Sequence, residues 1–318
     1  MKLTNRNNLP ETIINVIKRP EYNKGKSNMS VTELLNSPRI VQLKRKHWDD
    51  LTEDASDMVW SIFGTAIHGV LEHGKDDHHI VEQRIHIELD GMHISGAIDL
   101  QEITEDGIIL SDYKTTSAWA VMNEKQDWHN QLNSYAYLVE VAKKIPVCKL
   151  QIVAIVRDWS RRDAATRDGY PAAPIVVIDI PLWSFADREA YVRSRISLHG
   201  DAFFEMETDG EMPNCTPEEM WERQTSYALK KEGNVRAKSV HQTEEEAAAA
   251  LANAEKSAKK NEKFIVEVRP GERVRCQSFC QVAPYCSQHQ SFISGNSDVQ
   301  FPHQGDKDAK PDNTDIPS

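Results

Sequence analysis

Between residues 79 and 116 the chain alternates apolar and polar positions in three runs: HIVEQRIHIEL, then MHISGAIDLQEI after Asp90-Gly91, then IILSDYKTT after Glu105-Asp106-Gly107. Period-two alternation broken by turn residues predicts half-buried strands, and Asp-Gly is a strong hairpin signal. These runs predict a three-strand antiparallel meander. On both sides the period lengthens. DMVWSIFGTAIHGVLEHG upstream has helical spacing and stops at Gly74, a C-cap residue. DWHNQLNSYAYLVEVAKKI downstream places Trp128, Leu132, Tyr135 and Val139 on one stripe. KLQIVAIVRDW and APIVVIDIPL predict two more strands, and SFADREAYVRSRISLHGDAFFEM a long helix capped by Ser184. Near the start, Ser30 and Glu33 form a capping box, and SPRIVQLKRKHW adds a basic helical piece.

The order helix, three strands, helix, strand, strand, helix predicts an α/β fold over residues 30–210, with a mixed central sheet flanked by helices. Residues 1–29 are polar and read as a flexible arm. Past residue 210 the texture changes to a polar, basic stretch. An Ala-rich helix capped by Thr243 and Glu246 follows, then a strand, FIVEVRPGERVRC, entering three cysteines. Residues 211–293 therefore read as an extension, and 294–318, rich in Gly, Asn, Asp, Lys, Pro and Ser, as a disordered tail.

The totals narrow the class. No apolar run among the 318 residues approaches the ~20 that span a bilayer, and the N-terminal segment lacks the apolar core of a secretory signal. An intracellular, cytoplasmic protein is expected. The net charge of −11 argues against whole-surface binding of nucleic acid but leaves room for a local groove, especially where divalent cations offset the acids.

The chemistry gathers where the third strand leaves the core. Asp112 and Lys114 are two apart and project to one face, while Tyr113 is expected to point the other way, into the core. Asp99 ends GAID on the preceding strand, and antiparallel pairing can bring it beside Asp112. Two facing carboxylates repel unless a cation lies between them, and hard oxygen donors suit Mg²⁺ or Mn²⁺. An exposed Asp–Lys salt bridge at a strand end would explain Asp-x-Lys alone. His68 follows Gly64 by four residues on a helix and offers an imidazole ligand. Gln131 and Tyr135, at i and i+4, present an amide and a phenol to the same region.

In order and spacing, GTAIH (64–68), GAID (96–99), DYK (112–114) and QLNSY (131–135) resemble the motifs of the RecB-like branch of the PD-(D/E)XK nuclease superfamily. The resemblance covers about residues 30–205 and implies a restriction-endonuclease-like core. It implies that Asp99, Asp112, the backbone carbonyl of Tyr113 and His68 hold Mg²⁺ or Mn²⁺ and that Lys114 is the catalytic lysine. Gln131 and Tyr135 would support the site or the DNA, with Glu82 as an accessory acid. The implied reaction is metal-assisted phosphodiester hydrolysis leaving a 3′-hydroxyl and a 5′-phosphate. The expected function is an exonuclease of phage or bacterial DNA recombination or processing, acting on single-stranded or duplex ends, with recombination or replication proteins as possible partners. The alternatives are a structure-specific endonuclease or a non-cutting DNA-binding module on the same fold.

Cys276, Cys280 and Cys286 lie within eleven residues and need a fourth ligand for a closed site. Cys215 is the first choice and His289 the second, while Cys148, at a strand start, reads as a core residue. RecB-like nucleases with a [4Fe–4S] cluster carry one cysteine before the motifs and three after. Here no cysteine precedes residue 148 and the first spacing is x3, so zinc stays open as the alternative. Lys230, Lys231, Arg236 and Lys238, together with Arg269, Arg273 and Arg275, are candidate phosphate contacts. Trp159 with Arg161 and Arg162 is a candidate stacking groove.

Overall fold

The computed structural model describes residues 1–18, 25–74, 76–123, 125–259 and 262–295. The predicted tail, 294–318, lies outside these but for its first two residues. The chain divides into two compact units, Met1–Pro213 and Asn214–Ser318.

The first unit runs β1 (Lys2–Thr4), α1 (Glu11–Lys18), β2 (Met29–Ser30), α2 (Val31–Leu35), α3 (Pro38–Lys46), β3 (Thr52–Asp54), α4 (Val59–Leu71), β4 (His79–Leu89), β5 (Met92–Thr104) and β6 (Gly107–Thr116). It continues with α5 (Ala118–Met122), α6 (Gln126–Lys143), β7 (Val147–Val156), α7 (Arg161–Thr166), β8 (Ile175–Ile180) and α8 (Phe185–Glu207). The segment read as a flexible arm carries β1, paired in parallel with β3, as well as α1 and β2. β1 and β2 were hidden because a two- or three-residue strand has too few positions to show a period, whereas α1, with Ile13, Ile14 and Ile17 at helical spacing, did carry a signal within its polar surroundings. No helix among the described residues is long and apolar enough to cross a membrane.

The meander forms as its alternation predicts: β4–β5 and β5–β6 are antiparallel. Asp90 and Gly91 both have positive φ, 51° and 75°, which lets a two-residue turn join Leu89 to Met92. β7 then adds in parallel to β6, and β8 antiparallel to β7, giving a mixed six-stranded sheet. The core is built where Ile94, Ile98, Leu110, Leu150 and Ile152 of the sheet meet Leu132, Ala136 and Leu138 of α6. The capping box at Ser30 is present, with the Glu33 amide donating to Ser30 Oγ at 3.1 Å and the Ser30 amide to Glu33 Oε2 at 3.0 Å.

One feature of this sheet decides the position of the site. β4 runs along one edge of β5 through residues 92–102, so β2 and β6 must share the other edge. β2 takes Ile94 and Ser95, β6 takes Leu100–Thr104, and Gly96–Asp99 have no ladder partner on that side. β6 leaves β5 at Ser111, and its outer half, Asp112–Thr116, keeps only β7 as a neighbour. The sheet forks here, with Asp99 on one prong and Asp112 on the other.

The second unit has α9 (Pro217–Met220), β9 (Glu222–Arg223), β10 (Ser226–Lys231), β11 (Ser239–His241), α10 (Glu244–Lys256), β12 (Phe264–Arg269), β13 (Glu272–Arg273), α11 (Val274–Ser278) and α12 (Ser287–Gly295). β11-β10-β12 form an antiparallel sheet and β13 pairs with β9. The Ala-rich helix starts as predicted, with Thr243 Oγ1 accepting from the Glu246 amide at 3.2 Å.

Candidate active site

At the fork, Asp99 fills the gap left in the ladder: its Oδ2 accepts from the Tyr113 amide at 2.7 Å. Oδ1 of Asp99 lies 3.5 Å from His68 Nδ1, which in turn lies 3.0 Å from Glu82 Oε1. Among the described residues, His68, Glu82 and Asp99 are the set of three such side chains whose ligand atoms all lie within 4.8 Å of one another. Glu82 stands opposite Asp99 but outside the β4–β5 ladder, with φ of 49°. A non-glycine residue in the left-handed region costs about 1–3 kcal/mol and persists where surrounding structure imposes it. Here it brings Glu82 into the same group as His68 and Asp99.

Asp112 is buried and faces α6. Its Oδ1 accepts from Gln131 Nε2 at 3.0 Å, and the same amide donates to Tyr135 Oη at 3.1 Å. Lys114 Nζ lies 2.6 Å from Asp112 Oδ2, an ion pair without hydrogen-bond alignment. Asp112 is therefore not among the three converging ligands. The lysine and the amide hold its two oxygens, although its charge still reaches Asp99. Tyr113 is half-buried rather than in the core. Its ring packs edge-on against His68, with centroids 6.2 Å apart, because it points toward α4.

The electrostatics are those of a cluster short of positive charge. Burial first, and then the charge of Asp112, push the Asp99 carboxyl up to about 7; His68, the Tyr113 amide and Lys114 pull the other way. His68 is raised above the ordinary imidazole value, chiefly by its hydrogen bond to Glu82 and, against the opposing effect of burial, by the charges of Asp99, Glu82 and Asp112. Carboxylate oxygens and one imidazole nitrogen, crowded so that a buried acid favours its proton, are a donor set that fits Mg²⁺ or Mn²⁺.

Gly96 explains why a glycine opens the GAID motif. A Cβ there would lie 2.9 Å from Cδ1 and Cε1 of Tyr135, so α6 can approach the fork only if position 96 has no side chain. Gly64 faces Thr115, but a Cβ there would lie 3.8 Å from Oγ1, an ordinary contact, so packing does not demand a glycine at this position.

In the second unit, Cys215 precedes α9, Cys276 lies in α11, Cys280 follows it and Cys286 precedes α12. Burial, followed by the nearness of Cys280, Cys215 and Cys286, pushes the Cys276 thiol up to about 12, so the four thiols are neighbours. The Gln288 side chain clamps the Cys215 backbone, accepting from its amide at 2.9 Å and donating to its carbonyl at 3.0 Å. Cys148 is exposed, a correction to its reading as core: it sits where β6 and β7 slip register, next to the turn at Gly107.

The basic candidates are less free than their spacing suggested. Lys230 pairs with Glu267 and Lys231 with Glu262, while Lys238 sits over the Phe264 ring. Arg236 is exposed. Arg269 and Arg273 face Glu267 and Glu222. Arg273 and Glu222 are direct cross-strand partners, and Lys230 reaches Glu267 diagonally from β10 to β12, pairings that linear clustering of charge does not reveal. Trp159 is half-buried, and its Nε1 donates to the Pro171 carbonyl at 2.8 Å.

A forked mixed sheet carrying acids and a lysine at the split, with helices on both sides, defines a metal-dependent nuclease core. The family model of the PD-(D/E)XK nuclease superfamily matches residues 72–287, and the chain belongs to that superfamily. The match includes Asp99, Asp112, Lys114, Gln131 and Tyr135 and begins just after His68. Membership implies metal-dependent nuclease activity with DNA as substrate. Among solved structures, the chain is similar to the crystal structure of SSO0001, at 17% identity and a TM-score of 0.38, over 59% of this chain and 83% of that one. No curated protein sequence matches it.

Proposed function

We propose that this protein is a Mg²⁺- or Mn²⁺-dependent deoxyribonuclease that digests DNA from an end, in phage or bacterial recombination or processing. The observation that carries the reading is the forked sheet edge. There a buried acid pair, one member tied to Lys114 at 2.6 Å, lies beside the His68–Glu82–Asp99 convergence. His68, Glu82, Asp99, Asp112 and the Tyr113 carbonyl are the residues that would hold the cation. The chemistry such a cation supplies is Lewis-acid polarisation of a phosphoryl oxygen and acidification of the attacking water.

The remaining roles belong to the chain. Lys114, half-buried and paired with Asp112, presents its ammonium to the phosphate and orients the water. Gln131 fixes the Asp112 carboxylate plane, and Tyr135 fixes Gln131. The Tyr113 ring sets the His68 ring edge-on, holding its Nδ1 toward Glu82 and Asp99.

In the second unit we assign Cys215, Cys276, Cys280 and Cys286, whose thiols are near enough to raise one another, to a [4Fe–4S] cluster, with zinc as the alternative. Either metal would clasp this unit together.

The test is a panel of labelled linear and circular DNA, single-stranded and duplex, with Mg²⁺, Mn²⁺ or EDTA. Cutting confined to linear substrates supports an exonuclease, and cutting of circles an endonuclease. Activity surviving Lys114→Ala would reject the mechanism, and no cutting of any substrate would leave a binding module.

A further inference from the structure

α4 is unusual for a helix of an α/β domain. Its sequence, VWSIFGTAIHGVL, is strongly apolar, yet none of its residues is buried. Trp60 is 57% exposed and Phe63 41%. An exposed apolar patch of this kind marks a surface built to be covered.

Three observations say by what. The same helix carries His68, eight residues or about 12 Å of helix rise from Trp60, so the patch continues directly from the reaction centre. The Arg157 guanidinium stacks on the Trp60 indole, 4.2 Å from its centroid, and no carboxylate among the described residues neutralises it. Both converge on the end of β6 from which Lys114 emerges: the Arg157 amide donates to the Thr116 carbonyl at 2.9 Å. Trp119, 49% exposed, opens α5 just beyond. An apolar protein segment would cover the indoles but bury an unpaired guanidinium, which is costly. A nucleotide offers a flat base to the indole and a phosphate to the arginine.

We infer that Trp60 and Arg157 form a grip for single-stranded DNA, stacking a base and pairing a phosphate a few nucleotides from the scissile bond. The inference rests on the nuclease reading above and narrows its substrate to a strand with unstacked bases. In a duplex the base faces are covered by their neighbours, and the indole has nothing to stack on.

Binding is measured in EDTA, so the strand stays intact, by anisotropy of labelled oligo(dT) and by tryptophan fluorescence. Wild type should bind with quenching. Trp60→Ala should raise the Kd about 5- to 150-fold and lose part of the quenching, while Trp60→Phe keeps most of the affinity. Arg157→Ala should also raise the Kd and flatten the log Kd–log salt slope by about 0.7. Blunt duplex binding should be indifferent to Trp60→Ala, and circular dichroism checks that each variant is folded.

Unchanged oligo(dT) binding by Trp60→Ala, or an equal loss on single strand and duplex, overturns the grip. So does a wild-type dimer that Trp60→Ala turns into a monomer, which would make a second copy the occupant. Lys114→Ala separates the two readings, since it should abolish cutting and leave quenching intact. Trp60-dependent binding in a protein that cuts nothing would sink the nuclease reading alone. Metal-dependent cutting indifferent to Trp60 would sink the grip alone.

Discussion

Replacing Gly96 by alanine adds one methyl group to the fork and tests the chain of contacts from β5 to Asp112. The new Cβ would stand 2.9 Å from two Tyr135 ring carbons and 3.3 Å from Leu138 Cδ2. Carbon–carbon contacts are comfortable at about 3.5–4.0 Å, so the ring must retreat by roughly 0.6 Å. It has little room, because Tyr135 and Leu138 are both buried in the main core. Overpacking of this kind costs about 1–3 kcal/mol, or about 2–12 °C in Tm for a unit of roughly 200 residues. Tyr135 Oη is also held by Gln131 Nε2, which holds Asp112 Oδ1. A retreating ring therefore drags on the acid paired to Lys114. Misplacement on the order of 1 Å costs about 100-fold, so initial rates should fall about 10- to 100-fold at a temperature where the variant is still fully folded. The assay is a melt alongside rates on labelled DNA. Adding Tyr135→Leu removes the ring, so the double variant should melt close to Tyr135→Leu alone and stay slow. A Gly96→Ala protein that melts and cuts like wild type would refute the argument, as would simple additivity of the two substitutions.

Gln131→Leu removes a hydrogen bond to a buried carboxylate, worth about 1.5–3 kcal/mol. It should lower kcat with a smaller change in KM, and an unchanged kcat would separate Gln131 from the site. His199 is buried on α8 and donates from Nε2 to the Leu34 carbonyl at 3.0 Å; burial lowers its pKa to about 4. Its contribution is complete above the ordinary value near 6.5 and is lost as pH falls toward 4, about 3 kcal/mol in all. His199→Gln should flatten stability over that window in denaturant titrations, and parallel pH profiles would contradict this. Cys215→Ser should bleach anaerobically purified protein and lower its iron content while His289→Ala leaves both unchanged. The reverse pattern would transfer the fourth ligand to His289.

Much of this protein was legible along the chain because the rules involved are local. Alternation placed β4, β5 and β6, Asp90-Gly91 placed their turn, Ser30 with Glu33 started a helix, and the two-residue spacing put Lys114 beside Asp112. Those periods and caps depend only on neighbours a few residues away. What the chain could not reveal depends on partners far apart in sequence. That β2 and β6 share one edge of β5 follows from packing, and it opens the gap that Asp99 fills. The left-handed backbone at Glu82, which turns an ordinary-looking strand glutamate toward His68, exists only because the sheet around it imposes that conformation. Lys230 and Lys231, which looked free, are answered by Glu267 and Glu262, 37 and 31 residues further on, and a tyrosine expected in the core packs edge-on against an imidazole instead. Sequence determined which elements form and which side chains carry charge. Tertiary structure decided which charges meet, because register and burial are set by the whole core at once.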